Sequence, residues 1–237
     1  MALRLASFVP VSLSKFVFGF MSGTDDEEEG EVEVFEQLVD MAKSIAMIDP
    51  RGLHAFVVAI LRPLQSQHII AAAERAPHAA PPSFDDWSFF MGSQVKGVFD
   101  FGCLQSLDSD DFEVDLARDL ALPTMWNRQS VASAFGAIGA GLKCGSWRQD
   151  PNHSVALWLP WRIAFVNNGN HSIAAGVIRA EGRLKPSSVF NLEPQLREIR
   201  CDGRNFIRVA DGTVVAPVND ARLAAVWEIG RLMCGLG

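Results

Sequence analysis

The 237-residue chain is long enough for one large domain with a sizeable core, and its 49% hydrophobic content excludes a chain that is disordered throughout. The net charge of −7 comes from one acidic cluster, since seven of the 28 acids lie between Asp25 and Glu33 and the other 21 match the 21 bases. The four cysteines are scattered without a C-x-x-C pair, which argues against a zinc site or a disulfide scaffold. They favour a reducing compartment, so we expect a cytoplasmic protein.

The first 33 residues combine an apolar run with the acidic cluster. Residues 1–20 are apolar like a signal peptide, but Pro10 and Lys15 interrupt the run and no small-residue cleavage pattern follows. An extension packed on the domain is therefore preferred. The acidic cluster is interpreted as a solvated, poorly ordered loop, with an acidic mimic that covers the basic stretch 143–208 as the alternative. No other segment meets the requirements of a bilayer span, so no membrane partner is expected.

Helical periodicity dominates the residues that follow. Apolar positions three or four apart predict a helix over 34–45, ended by the Asp-Pro-Arg-Gly sequence at 49–52. A second helix is predicted over 53–64, where Pro63 ends or kinks it, and a further one over 65–75.

The middle of the chain gives weaker signals. Three prolines assign residues 76–83 to a linker, and residues 84–102 fit either a helix and strand or one folded loop. The acids at 108–111 predict the start of a helix that carries Val114 and Leu116.

The second half alternates between helices and strands. An apolar stripe predicts a helix over 131–142, and two strand-like runs at 154–159 and 162–166 predict an antiparallel hairpin. A polar loop at 167–172 then leads into a helix over 173–184. After that helix, which Pro186 ends, residues 188–192 read as a short strand.

The C-terminal residues predict one more hairpin and a final helix. Strand-like runs at 205–209 and 213–218 flank an Ala-Asp-Gly turn, and Asn219 or Asp220 is expected to cap a helix over 223–233. The fold class is therefore α+β, with a mixed sheet preceded by an N-terminal helical region.

The polar loop has the features of an anion-binding site. Gly169 lets the chain turn sharply at the end of a strand, and Asn170, His171 and Ser172 follow at the start of a helix. Backbone N–H groups at a helix start have no partner within the helix and favour negative charge. We therefore predict a phosphate-binding site that Asn168 and these four residues form.

The helix–hairpin–loop–helix–strand order over roughly 128–192 resembles the ParB/sulfiredoxin-like superfamily. In that superfamily a G-x-H-R or G-x-R-R loop binds nucleotide phosphates, and residues 169–172 stand at this place. The arginine of the motif is Ser172 here, so the resemblance implies that Arg162 or Arg179 replaces the missing anchor, with Arg162 as the first choice. The sulfiredoxin branch uses a loop cysteine that this loop lacks.

The resemblance also divides the chain and extends to a narrower family. We assign residues 1–33 to an extension and 34–237 to one domain, with a mainly helical part to residue 122 and a ParB/sulfiredoxin-like part from 123. The stretches 150–153, 169–172 and 228–233 resemble those of an uncharacterised bacterial protein family.

Three side chains are candidates for chemistry. His171 is a catalytic or ligand-binding candidate, with a hydrogen bond to the local backbone as an equally weighted alternative. Asp150 and His153 form a second polar group that the fold can bring beside His171. No ligand spacing supports a metal site, and none is predicted. Trp147 and Trp161 are expected in the core, or as base-stacking platforms if they are exposed.

Two functions stay open at the level of sequence. One is a ParB-like protein that binds a nucleotide or nucleic acid, with phosphate-directed catalysis as an extension of that role. The other is a non-enzymatic interaction protein that keeps the fold without the reactive groups. The sequence identifies no cofactor.

Overall fold

The computed structural model describes residues 25–74, 89–91 and 104–236. Helices in these residues form an N-terminal pair, two helices beside the sheet, and a C-terminal pair. They are α1 (Asp25–Ile48), α2 (Gly52–Glu74), α3 (Arg128–Ala137), α4 (Asn170–Arg179), α5 (Glu193–Glu198) and α6 (Ala221–Met233).

The strands are short, with two to six residues each. They are β1 (Gln105–Leu107), β2 (Val114–Asp115), β3 (Leu120–Leu122), β4 (Ser154–Leu159), β5 (Ile163–Asn168), β6 (Arg183–Leu184), β7 (Ser188–Asn191), β8 (Ile199–Cys201), β9 (Asn205–Arg208) and β10 (Val214–Pro217). The fold class is α+β, as predicted.

A five-stranded mixed sheet in the order β1-β7-β4-β5-β3 organises the molecule. The predicted β4–β5 hairpin is confirmed, with Ala156 opposite Phe165 in antiparallel register. β3 runs parallel to β5, and β7 runs parallel to β4. The remaining strands form a three-stranded sheet, β10-β9-β8, and the pair β2-β6.

Both faces of the central sheet are buried. Successive side chains of a strand point to opposite faces, and β4 places Trp158 in one core cluster and Leu157 in the other. The Trp158 face packs against α1, α2 and α6, and the Leu157 face packs against α3 and α4. Each large aliphatic side chain buried in this way contributes about 1.5–3 kcal/mol to folding. The sheet therefore holds α3 and α4 together on one side.

The acidic cluster is helical, and the prediction of a poorly ordered loop was wrong. α1 begins at Asp25 and includes the whole cluster. Glu31 Oε2 also accepts a hydrogen bond from the N–H of Ala221 at 3.1 Å, which ties α1 to the start of α6. The domain boundary suggested after residue 33 falls inside α1, and the division itself stays a prediction.

α2 continues through Pro63, so the prediction of two helices over 53–75 was wrong. The residues on both sides of the proline, Leu61 and Leu64, are buried in the core, and this packing offsets the lost backbone hydrogen bond. Among the described helices, α2 has the length and apolarity of a membrane span, with 44% of its most apolar window buried. Buried core helices share that composition, and the expectation of no membrane partner stays a prediction.

Other element boundaries differ from the predictions. Residues 108–117 form a short 3-10 turn and β2 instead of a helix, since Asp108 caps only the N–H of Asp110 and Phe112 is extended. α3 stops at Ala137, and α4 stops before Ala180, which adopts φ 52°. The C-terminal hairpin and the Asp220 cap are confirmed. The predicted linker at 76–83 and most of 84–102 lie outside the described residues.

Candidate functional site

The polar segment contains less loop than predicted. β5 continues through Asn168 and α4 begins at Asn170, so Gly169 alone makes the turn. Its φ of +80° lies in the left-handed region that glycine adopts without steric cost. The reversal from strand to helix therefore takes a single residue.

His153 packs directly against this glycine. A Cβ on Gly169 would lie 2.3 Å from His153 Cδ2, so the position has no room for a side chain. His153 is 5% exposed, and its ring packs on Trp147 with 4.9 Å between centroids. The structure thus brings His153 to the turn, while its catalytic role stays a prediction.

The protonation of His153 follows from its contacts. Nδ1 accepts a hydrogen bond from the backbone N–H of Asp150 at 2.8 Å, which leaves the ring proton of the neutral form on Nε2. Burial lowers the pKa of His153, and the Asp150 carboxylate opposes that shift only in part. The neutral imidazole thus has a structural role, since it holds the turn formed by residues 150–153. Asp150 holds the same turn through the hydrogen bond that its carboxylate accepts from the Asn152 N–H.

Asn168 and Asn170 hold the backbone around Gly169. Asn168 donates from Nδ2 to Asn152 Oδ1 at 2.9 Å, and its own Oδ1 accepts from the Gly169 N–H at 3.0 Å. Asn170 Oδ1 accepts from the Thr124 N–H at 2.6 Å, which ties the start of α4 to the segment before α3. These amides position the turn.

Ser172 is also engaged inside the protein. Its Oγ and carbonyl oxygen both accept from the indole N–H of Trp147, at 3.1 and 2.9 Å. The hydroxyl that stands where the superfamily motif has arginine is therefore directed at the core.

α3 and α4 lie side by side and run in the same direction. At their N-terminal ends the His171 ring lies 4.9 Å from the Trp126 ring, measured between centroids. At their C-terminal ends Arg179 donates to the carbonyl oxygen of Phe135 at 3.1 Å. Both helix N-termini therefore open at the same end of the molecule, where their dipoles add to favour negative charge.

The two N-termini differ in capping. Asn127 Oδ1 accepts from the Ser130 N–H at 2.9 Å and caps α3. No side chain in the described part of the protein caps α4. The first-turn N–H groups of residues 170–172 have no partner within the helix, so they point out of its end.

His171 lies between these two helix ends. Its imidazole hydrogen-bonds the backbone of Asn127, and burial nevertheless lowers the pKa of the ring. Its Nε2 is buried and has no hydrogen-bond partner among the described residues. The neutral ring is therefore held at the start of α4, and its Nε2 is not accessible to solvent.

Sequence reasoning missed Trp126, which is 55% exposed beside His171. The tryptophans considered for stacking, Trp147 and Trp161, are 5% and 0% exposed, so the core alternative is confirmed for both. Trp126 stands just before the Asn127 cap, outside any apolar periodicity, and that isolation was the available signal.

The prediction that Arg162 lies near the polar turn was wrong. Arg162 precedes β5 and the turn follows it, so six residues and about 20 Å of extended strand separate them. Its Nε and Nη2 each donate to a carboxylate oxygen of Asp119 at 2.8 Å. Arg179 lies at the far end of α4, about 15 Å from the turn. Neither guanidinium replaces the missing arginine.

Asp119 explains why Arg162 is held at that end. Its side chain is 5% exposed, and it also accepts from the N–H of Asp115 at 2.9 Å. Burial alone would raise the pKa of Asp119, but hydrogen bonds from Arg162 and His54 outweigh it and the net shift is downward. This is a closed ion pair inside the fold.

A family profile matches residues 21–237, nearly the whole chain, and its description is a family of unknown function, DUF6710. The chain belongs to this family. The expectation of an uncharacterised family is confirmed. Searches of curated proteins and of solved structures give no match.

The DUF6710 chain also has a cavity away from the Gly169 turn. A cavity of about 370 Å³ lies toward the C-terminal ends of α3 and α4, where Arg179 and Glu181 line it together with Phe135, Ala175 and Ile178. Both charged side chains already bond backbone groups nearby. Within residues 25–74, 89–91 and 104–236, no three His, Cys, Asp or Glu side chains are grouped to hold a metal ion.

Proposed function

We propose that this DUF6710 protein binds a nucleotide or nucleic acid at the shared N-terminal end of α3 and α4. The observation that carries the proposal is the convergence of two parallel helix N-termini beside the exposed Trp126. A phosphate group and an aromatic base are the two parts of a ligand that such a surface fits.

The phosphate would meet backbone and side-chain donors. Each helix N-terminus carries the equivalent of about half a positive charge, and the first-turn N–H groups of α4 have no side-chain cap. Arg128 is exposed at the first position of α3, next to the Asn127 backbone that His171 contacts. We assign the anchoring role predicted for Arg162 to Arg128, since an arginine binds phosphate through two parallel hydrogen bonds.

The base would stack on Trp126. Stacking of a base on an aromatic side chain contributes about 1–3 kcal/mol and tolerates any base, because each has a π face. His171, whose ring lies 4.9 Å from the Trp126 ring between centroids, would hold Trp126 in place for stacking. The site thus favours a nucleotide over inorganic phosphate.

We further propose a distant ParB/sulfiredoxin-like relationship and a binding role without catalysis. The order of β5, Gly169 and α4 supports the relationship. The neutral, buried His153 and the internally bonded Ser172 supply no reactive group for phosphate-directed catalysis. The free thiols of Cys144, Cys201 and Cys234 support the proposed cytoplasmic location.

One observation favours the alternative, a non-enzymatic interaction protein. The side chains of Asn168, Asn170 and Ser172 all bond other parts of the fold. A surface without a phosphate-directed side chain in its turn would bind a protein partner instead.

The test compares ligand affinities of matched variants by calorimetry. The ligands are adenosine diphosphate and a short single-stranded oligonucleotide, each at two salt concentrations. We expect Trp126→Ala and Arg128→Gln to weaken binding at least tenfold, and Trp126→Phe to keep most of it. Ile178→Ala serves as the control, because Ile178 is also 55% exposed but lies near the other end of α4.

The outcomes separate the two functions. Binding that weakens with salt and with Trp126→Ala supports the nucleotide site. Equal binding by all variants, or no binding by the wild-type chain, rejects the site and favours the interaction protein.

A further inference from the structure

α1 carries an apolar seam that the described fold leaves largely uncovered. Its five positions are spaced by four and three residues in alternation, which places them along one side of a helix. They are Val34, Leu38, Met41, Ile45 and Ile48. Three of these side chains face solvent: Val34, Met41 and Ile48 are 37%, 54% and 88% exposed.

The seam borders the face that α1 buries. Phe35 and Ala42 are 6% and 0% exposed in the core that α2 and α6 share with α1. Leu38 and Ile45 are partly buried and pack against the same core. The apolar surface of α1 is thus wider than its contact with the domain, and a further helix laid along the seam would touch Leu38 and Ile45 from outside. Single exposed apolar residues are common, whereas three aligned on one helix make a continuous apolar strip of the kind found at interaction sites.

Charge selects the occupant of this surface. α1 carries nine carboxylates and one lysine, and Glu33 and Asp40 are exposed next to the seam. A second copy of the chain would bring an equally acidic helix against it, and like charges facing each other across a helix pair are destabilising. A helix with lysine or arginine beside its apolar positions gains from the same field.

We propose that the α1 seam is a docking surface for a basic amphipathic helix of a partner protein. The seam from Val34 to Ile48 is about 21 Å long, which matches about four turns of helix. The partner lays apolar residues spaced by three and four against Met41 and Ile48 and keeps its basic residues toward Glu33 and Asp40. This helix-in-groove mode is independent of the nucleotide site.

The test measures binding of a synthetic peptide to the full chain by fluorescence anisotropy. The probe is a peptide of about 18 residues with leucines at helical three–four spacing and lysines elsewhere. A second peptide of the same composition with its leucines dispersed controls for charge alone. We expect the first peptide to bind at least tenfold more tightly than the second. The double variant Met41→Ser/Ile48→Ser should lose that difference, and Ile70→Ser, at a 50% exposed position of α2, should keep it.

The other occupants give different results. Self-association of the wild-type chain in light scattering, abolished by the double variant, assigns the seam to a second copy and overturns the proposal. A drop of several degrees in the melting temperature of the double variant, without peptide binding to the wild type, means that the chain covers its own seam. Equal binding of both peptides reduces the effect to charge and also overturns the proposal.

Discussion

The two ends of β5 carry polar residues that look alike in sequence and behave differently in the fold. At its start, Arg162 forms a two-point ion pair with Asp119, which is 3% exposed. At its end, Gly169 leads into an uncapped helix beside the exposed Trp126. The first end has its charges satisfied inside the protein, and the second presents donors to the outside.

Neighbouring elements determine which partners a polar residue at a strand end finds. Arg162 meets a buried carboxylate because β3 lies parallel to β5 and brings Asp119 to the same end. The other end of β5 lies beside the starts of α3 and α4 and against the turn that carries Asn152 and His153. Ligand binding is therefore expected at the end where the first turn of α4 has no side-chain cap.

The largest effect is expected at the start of β5, where Arg162 pairs with Asp119; this is called the closed end of the strand. Arg162→Met leaves the Asp119 carboxylate buried without its partner, and we expect it to lower the free energy of unfolding by about 3 kcal/mol, at the low end for buried pairs because a third of the Arg162 side chain is exposed. Chemical denaturation measures the change. Arg183→Met, at an exposed pair with Glu113, should cost about 1 kcal/mol or less. Equal losses of unfolding free energy in both variants would show that the buried Arg162–Asp119 pair stabilises the fold no more than an exposed pair does.

The next effect concerns the Gly169 turn at the other end of β5, called the open end. Gly169→Ala combines a left-handed φ with a Cβ 2.3 Å from His153 Cδ2, so we expect a loss of about 2–3 kcal/mol. Gly141→Ala is the matched control, since Gly141 has φ +78° and no heavy atom within 4 Å of the added Cβ.

The control separates backbone strain from the clash. Gly141→Ala should cost only about 1 kcal/mol in the same denaturation experiment. Adding His153→Ala should restore part of the stability of the Gly169 variant, because it removes the contacting ring. If the two glycine variants are equally stable, the packing of His153 on the turn contributes nothing.

A smaller effect on stability is expected on acidification. Burial of His68 on α2 lowers its pKa from 6.5 to about 4, so below pH 6.5 the unfolded chain binds a proton that the folded chain does not. Stability should therefore fall between these two pH values, by about 2 kcal/mol for this residue. His68→Gln should flatten the fall when melting temperatures are compared from pH 7 to pH 4. An unchanged pH profile in the variant would contradict the assignment.

The smallest effect on stability is expected at the proposed site itself. Trp126 is more than half exposed, so Trp126→Ala should change the free energy of unfolding by about 0.5 kcal/mol or less. Denaturation of the ligand-free variant tests this. A loss above 2 kcal/mol would make Trp126 a structural residue and remove the contrast between the two ends.

Local chemistry predicted much of the second half of the chain. The short link between two apolar runs predicted the β4–β5 hairpin, and Asp220 predicted the start of α6, because both depend on neighbouring residues. The glycine turn into α4 was predicted for the same reason, although its polar residues proved to be strand and helix.

Contacts distant in sequence account for the failures. Arg162 was assigned to the turn because it lies on the adjacent strand, whereas its partner Asp119 is 43 residues away. The continuation of α2 through Pro63 depends on tertiary packing of Leu61 and Leu64. The position of Trp126 beside His171 depends on the packing of α3 against α4, which local sequence patterns do not predict.

An amide-resolved NMR titration of the full chain with adenosine diphosphate tests whether the start of α4 binds a nucleotide. We expect shifts of the backbone N–H signals of Asn170, His171 and Ser172 and of the Trp126 indole N–H, with Arg162 and Asp119 unchanged. Absence of shifts at the start of α4, or shifts concentrated around Arg162, would contradict the assignment of function to the open end of β5.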